Sequence, residues 1–347
     1  MSKYDIAFMG KLPPPIGGVT IHSKRLFNYL TNHSELKVRF DCLNKTSNLD
    51  ENIFCIGDLK VWFFKSIIKG VNAKIYHYQL ANYYGLILLY VVSLFNPEVK
   101  FGISIHGKGF VDRLLKRRFL GRIIKYILNK FDFIVVGTKG ISDQLSTFGI
   151  SNNIEIIDMF LPPNERDEVK SLPKKVLDIL NVPGKNIVVN GYNVDLLSKN
   201  TDLYGYHLMS DLSVYLNKQG INFKLIILIS EINNQDYLDK LFSNLSNVFI
   251  ISDPNIYGWK LIKSADLFIR PTSTDGNAIS LKEALVFGVP ALASDVVDRY
   301  EGVYTFSYND KNDLFQKTIE LLELNNSEIC DRLKNDSAHL DYYKKKG

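Results

Sequence analysis

The stretch "RPTSTDGNAISLKEALVFGVPALASD", Arg270 to Asp295, carries two carboxylates, Asp275 and Glu283, eight positions apart. A strand ends at Arg270-Pro271, a polar loop runs from Thr272 to Asn277, and a helix opens at about Ile279. Gly276 lets the chain pass close to a ligand. The N–H groups from Asn277 through Ala278 and Ile279 to Ser280 face whatever sits at the helix N-terminus, where the dipole favours negative charge. A carboxylate in the loop and another on the first turns can each accept paired hydrogen bonds from vicinal hydroxyls. An anion-binding helix end between two hydroxyl-binding acids is the chemistry of a nucleotide-sugar site: sugar, diphosphate, ribose. Taken singly, Asp275 reads equally as a turn or capping residue and Glu283 as a solvated helix acid.

A second stretch, "GKLPPPIGGVTIHSKRL" from Gly10 to Leu26, sets three prolines and then Gly17 and Gly18 before a helix start. Prolines fix φ and give up N–H groups. A glycine pair ahead of a helix N-terminus can cradle an anion, or simply make a tight strand-to-helix turn. No HExxH, Asp-x-Asp or paired Cys/His spacing appears, so no metal site is expected. The stretch also lacks the GK[ST] ending of a P-loop.

These residues need a scaffold that brings loops to the ends of strands. The first half alternates apolar strand candidates ("DIAFMG", "LKVRFDCL", "AKIYHY", "VKFGISI", "FDFIVVG", "IEIIDM") with helical patterns around Val19–Leu30, Ala81–Phe95 and Phe110–Lys130. The second half repeats the alternation from "NIVVNGY" through "FKLIILI", "NVFIIS", "ADLFIRP" and "PALAS". Such alternation predicts parallel sheets covered by helices. The Pro- and charge-rich segment from Phe160 to Asn186 breaks the rhythm and reads as a linker plus a short helix. The expected domains are 1–162 and 163–330, with a C-terminal tail or helix, 331–347, able to cross back to the first. Sheets of this kind bind ligands at the carboxyl ends of their strands, and two halves predict a site in the cleft between them.

The 347 residues suit about two domains. The three cysteines, Cys42, Cys55 and Cys330, are scattered and form no CxxC, which argues for a reducing compartment and against a disulfide framework. No signal peptide is evident at the N-terminus. The longest apolar run, Tyr83 to Phe95, is too short to span a bilayer. The net charge is +5, yet the stretch Lys108–Lys130 alone holds eight bases against Asp112. Read as a helix, it offers either a solvated basic face or a contact with anionic lipid. Without a nucleic-acid motif or interleaved aromatics, nucleic acid is not expected as a partner.

The Arg270–Asp295 text resembles the carboxylate-x7-Glu motif of retaining glycosyltransferases of the GT-B fold, the "group 1" or family four set. It departs from the usual text in having Asp275 for Glu and Thr272 for Ser. "PPPIGGVTIHS" is similar to the glycine loop of those enzymes, in which the pair corresponding to Gly17 and Gly18 lies against the donor diphosphate. "ISIHGKG" resembles the strand ending in a histidine, which gives His106 a place at the donor sugar or its phosphate. "NGYNVDLLSKNTDLYGY" is similar to the strand-loop-helix that supplies a base to the phosphates, here Lys199. The family's arginine is missing, with Tyr192 and Asn193 near its place, and Arg270 is the candidate to compensate. Ser252 and Asp253 match the loop that packs on the base.

The resemblance covers most of the chain. It implies an α/β protein of the GT-B fold, two Rossmann-like domains facing a central cleft. It implies a metal-independent retaining transferase that moves a sugar from a UDP- or GDP-sugar to a lipid-linked glycan. The subtype is frequent in bacterial surface-polysaccharide clusters, which places it in the cytoplasm at the inner face of the plasma membrane. Asp275, His106 and Lys199 would serve catalysis. Gly17, Gly18, Lys199, Arg270, Gly276, Asn277, Ala278, Ile279 and Glu283 would hold the donor, with Glu283 on the ribose. The rival readings are a non-enzymatic subunit of the same fold that binds a partner or lipid, and a sugar-nucleotide epimerase.

Overall fold

The computed structural model describes residues 3–14, 16–45, 50–57, 59–79, 82–107, 109–110, 114, 117–150, 153–163, 171–253, 256–275, 278–308, 310–324 and 337–346. Pro15, Lys108, Gly276, Asn277 and Cys330 lie outside them. The chain divides into two compact units, Met1–Leu161 with Asn335–Gly347, and Pro162–Lys334.

Unit 1 is a seven-stranded sheet: β1 (Tyr4–Gly10), β2 (Val38–Cys42), β3 (Ile53–Cys55), β4 (Ala73–Tyr78), β5 (Lys100–Ile105), β6 (Phe133–Val136) and β7 (Ile154–Ile156). The spatial order is β3-β2-β1-β4-β5-β6-β7, with every neighbouring pair parallel. The strands form from near-continuous apolar runs because both faces are covered by helices. Among those helices are α1 (Gly18–His33), α2 (Leu59–Lys69), α3 (Tyr83–Leu94), α4 (Arg118–Leu128) and α5 (Lys139–Thr147). One core, with Ile103, Leu89 and Ile124, lies on one face. The other, with Phe8, Phe27 and Phe40, lies on the opposite face.

The basic stretch Lys108–Lys130 is not one helix, as the sequence reading had it. Arg117 stands in non-helical backbone (φ −119°, ψ 78°) as the N-cap of α4, and residues 108, 111–113 and 115–116 lie outside the described residues.

Unit 2 holds α6 (Lys174–Asn181), β8 (Lys185–Gly191), α7 (Tyr206–Lys218), β9 (Phe223–Ile229), α8 (Gln235–Phe242), β10 (Val248–Ile251), α9 (Gly258–Ile262), β11 (Leu267–Arg270), α10 (Ile279–Val286), β12 (Ala291–Ser294), β13 (Tyr304–Phe306) and α11 (Lys311–Glu323). Its order, β10-β9-β8-β11-β12-β13, is again parallel throughout. Lys224, inside the run "FKLIILI", is buried. Its ammonium donates to the carbonyls of Ile179, Leu180 and Val182, closing the C-terminus of α6 where helix carbonyls lack partners.

The last helix, α12 (Ser337–Lys346), belongs to unit 1. Its Tyr343 hydroxyl lies 2.6 Å from Nδ1 of the buried His77, whose Nε2 is 2.9 Å from Ser104 Oγ. The Tyr343 ring meets Phe8 edge-on at 5.6 Å.

Candidate functional site

In an open parallel sheet the connections leave in opposite directions at one strand pair, and a crevice forms there at the carboxyl ends. In unit 2 that pair is β8 and β11, which puts the end of "NIVVNG" beside the end of "LFIR". Arg270 ends β11 and bridges the two: Nη1 donates to the backbone carbonyl of Asn190 (3.3 Å) and to its side-chain oxygen (3.0 Å). The other edge of its guanidinium forks onto Asp275, Nε to Oδ2 and Nη2 to Oδ1, both at 3.1 Å. A second arginine, Arg299, reaches the same carboxylate from the far side, with Nη1 2.7 Å from Oδ2. Arg299 also donates to the Ser294 carbonyl (2.8 Å) and hydroxyl (3.1 Å), and the Ser294 hydroxyl donates to the Thr272 carbonyl at 2.6 Å.

Burial pushes the Asp275 carboxyl up, but the two guanidiniums more than offset it and hold it below the usual carboxylate range. Burial works against the Arg270 cation in the same way, and Asp275 outweighs it, so its pKa is raised. Two cations on one acid leave the node net positive, ahead of the N-terminus of α10. The Asp275 side chain is 5% exposed and engaged on both oxygens.

The loop after β8 locks onto this node. Gly205 takes φ +76°, and a Cβ there would stand 2.1 Å from the Pro271 carbonyl oxygen, so only glycine fits. Ser273 N–H donates to Leu203 O at 2.9 Å. The N-cap of α10 is Ala278, which offers no capping side chain. Glu283, on the second turn, is buried, which rules out the solvated-acid reading. Lys282 beside it sets its ammonium 4.0 Å from the Tyr300 ring centroid.

Lys199 is exposed in the turn closed by the Leu196–Asp202 bridge and does not enter the Arg270–Asp275–Arg299 network. Ser252 is exposed and Asp253 half-buried, just before residues outside the description. The sequence reading missed Arg299 and Ser294. Arg299 reaches Asp275 from the loop after β12, Ser294 at the end of β12 holds Arg299 in place, and no spacing pattern marks either.

In unit 1 the reversal falls between β1 and β4. Gly17 is the extended N-cap of α1, its N–H donating to Thr20 Oγ1 at 3.0 Å. A Cβ on Gly17 would meet only Thr20 Oγ1, at 3.9 Å, and one on Gly18 nothing within 4 Å. Neither glycine is imposed by the backbone or by neighbours, and the space before them is open. His106 follows β5. Burial pulls its pKa down to about 4 against a hydrogen bond with the Gln79 backbone, so the ring is neutral at pH 7. The His22 ring meets it edge-on at 5.2 Å, with Nδ1 2.6 Å from Met159 O. His22, which shows no ligand spacing in the sequence, is thus a neighbour of His106.

No protein-family model and no curated protein sequence matches the chain. Solved structures do. A glycosyltransferase from Rickettsia africae superposes with TM-score 0.68 at 15% identity, covering 99% of this chain and 98% of its own. HepE of Anabaena, solved in complex with UDP-glucose, gives 0.65 at 12%, covering 92% and 90%. WaaG, a glycosyltransferase involved in lipopolysaccharide biosynthesis, gives 0.64 at 12%, covering 98% of each chain. At such identities the likeness is one of fold, and it agrees with two parallel α/β units of seven and six strands whose polar clusters lie at the strand reversals. The chain has the GT-B fold of the nucleotide-sugar glycosyltransferases.

Proposed function

We propose that the chain is a retaining glycosyltransferase that moves a sugar from a nucleotide diphosphate donor to a hydroxyl of a lipid-linked glycan, in the synthesis of a bacterial surface polysaccharide. The observation that carries this reading is the buried, net-positive Arg270–Asp275–Arg299 node ahead of the uncapped N-terminus of α10, with Glu283 buried on its second turn. Preorganised cations and N–H groups at a dry helix end suit the charge that develops on a leaving diphosphate. HepE was solved with UDP-glucose, which supports a uridine nucleotide as the first donor to try.

In this mechanism the bond from the anomeric carbon to the diphosphate oxygen breaks as the acceptor oxygen bonds to the same face. The acceptor proton passes to the leaving diphosphate. Arg270, with Arg299 behind it, Lys199 and the first N–H groups of α10 hold the diphosphate, and the backbone after Asp275 orients the sugar. Glu283 accepts from the ribose hydroxyls. Asp275 acts through the arginines it positions. Gly17 and Gly18 admit the diphosphate or the acceptor, and neutral His106 accepts a hydrogen bond. The reading asks for no metal.

The acceptor's lipid implies a membrane surface. No helix among the described residues is long and apolar enough to cross a membrane. On unit 1, helices α2, α3 and α4 pack side by side. They expose Phe64, Ile68, Phe119 and Tyr126 among the bases Lys65, Lys69 and Arg122. Apolar side chains amid bases suit an anionic lipid surface, at about 1 kcal/mol per base.

Calorimetric titration with UDP and GDP tests the donor site. One nucleotide should bind, and Glu283→Ala should weaken it about tenfold or more. Failure of both nucleotides to bind the native protein would sink the reading.

A further inference from the structure

Cys42 and Cys55 stand opposite one another where β2 pairs with β3. Both are free thiols. Paired residues of neighbouring parallel strands project to the same face, here the one that carries Phe8 and Phe40. Neighbouring strands run about 4.8 Å apart, within the roughly 4.4–6.8 Å between Cα atoms that a disulfide spans. The two thiols already interact side chain to side chain. β3 is three residues long and lies at the edge of the sheet, so Cys55 can shift toward its neighbour at the expense of one short pairing.

The two differ in access. Cys55 is exposed, whereas Cys42 is fully buried. Burial pushes the Cys42 thiol up and keeps its proton in place. An oxidant in solution therefore meets Cys55 first, with Cys42 held beside it. Cys42 also has a task as a thiol. Its S–H is shared between the Asn44 carbonyl (3.1 Å) and Asn44 Oδ1 (3.3 Å). That Asn44 amide clamps the start of the glycine loop: Oδ1 accepts from the Leu12 N–H at 3.1 Å, and Nδ2 donates to the carbonyls of Leu12 and Pro14, both at 2.8 Å. Leu12 and Pro14 precede Gly17 and Gly18 in one loop. A disulfide sulfur has no proton to give Asn44.

We propose that Cys55 and Cys42 form a modification site for a hydroperoxide, which closes a disulfide between β3 and β2 and loosens the Asn44 clamp on the glycine loop. The Cys55 sulfur attacks one peroxide oxygen and the O–O bond breaks. From hydrogen peroxide this leaves a sulfenic acid on Cys55 and one water. The Cys42 sulfur then attacks the Cys55 sulfur. The S–S bond forms, the S–O bond breaks, and the oxygen leaves as a second water with the Cys42 proton. Two thiols lose two electrons and one peroxide gains them. An external dithiol reverses the step. The proposal goes beyond the transferase reading and stands or falls without it.

The test uses the full chain and hydrogen peroxide. The remaining thiols are alkylated, and intact mass and peptide mapping follow. The native chain should lose two hydrogens, yield a Cys42–Cys55 linked peptide, and recover with dithiothreitol. Cys330→Ser should give the same link. Cys42→Ser should leave Cys55 as a sulfenic acid that dimedone traps, and Cys55→Ser should give neither product. Hydrogen exchange of the segment 11–18 should rise about threefold or more in the oxidised native chain and return on reduction. The native chain alone decides the matter if a variant does not fold. The proposal is overturned if peroxide yields no Cys42–Cys55 link, if the link runs to Cys330 or to a second chain, or if the linked protein exchanges at 11–18 as the reduced one does.

Discussion

Two side chains have an acid–base behaviour that can be read directly. Asp275 is depressed by its two arginines and His106 by burial. For Asp275 the folded pKa lies below the unfolded one. Its stabilisation is therefore complete above the ordinary aspartate range and is lost as pH falls through the folded value. Replacing it by Asn leaves two buried guanidiniums underpaired, and Asp275→Asn should cost about 3–5 kcal/mol at pH 7. Urea unfolding at descending pH checks the sign, since the gap between native and variant proteins should narrow below pH 4 or so. His106 behaves in the same sense at a higher window. The unfolded chain protonates near pH 6.5, the folded ring at about 4, so stability should fall by about 3 kcal/mol between those values. Its ring proton signals in NMR should show no titration above about pH 5. At this scale the sequence is legible only where residues share a short segment. Arg270, Asp275 and Glu283 stand within one motif, whereas Arg299 joins Asp275 across 24 positions, and no local pattern encodes that approach.

The elements themselves were easier to foresee. Runs such as "FKLIILI" and "DIAFMG" have one reading once helices alternate with them, and β9 and β1 stand there. The long basic stretch misled because its helical pattern, Leu114 to Leu128, continues through Arg117, where the backbone leaves the helix. Lys224 shows how an element tolerates a charge. Its ammonium closes α6 from within the neighbouring sheet, and Lys224→Met should cost about 1–3 kcal/mol by stranding those carbonyls. The junction of loops in unit 2 hangs on Gly205. Gly205→Ala meets both a positive φ and the Pro271 carbonyl. It should cost about 2 kcal/mol or more and weaken nucleotide binding, as thermal melts and calorimetry of one sample would show.

For the whole chain, the two halves were visible as a repeated alternation, and their fold follows from it. What spacing does not convey is where on the first unit such a distant helix docks. The sequence "YYKKKG" carries no sign that Tyr343 fills a seat against Phe8 and His77. Tyr343→Ala removes a buried ring and a partner of His77, and should lower the stability of unit 1 by about 3–5 kcal/mol. Scanning calorimetry should show one transition moving down while that of unit 2 holds its place.

The return of α12 to unit 1 also sets an order of events during synthesis. Unit 2 occupies an uninterrupted run of the chain, so it can complete its core soon after Lys334 leaves the ribosome. Unit 1 emerges before unit 2 yet still waits for Tyr343, which follows the whole of unit 2 in the chain. A released chain truncated after Lys334 should therefore present a protease-resistant second half and a protease-sensitive first half, and restoring residues 335–347 should reverse only the latter.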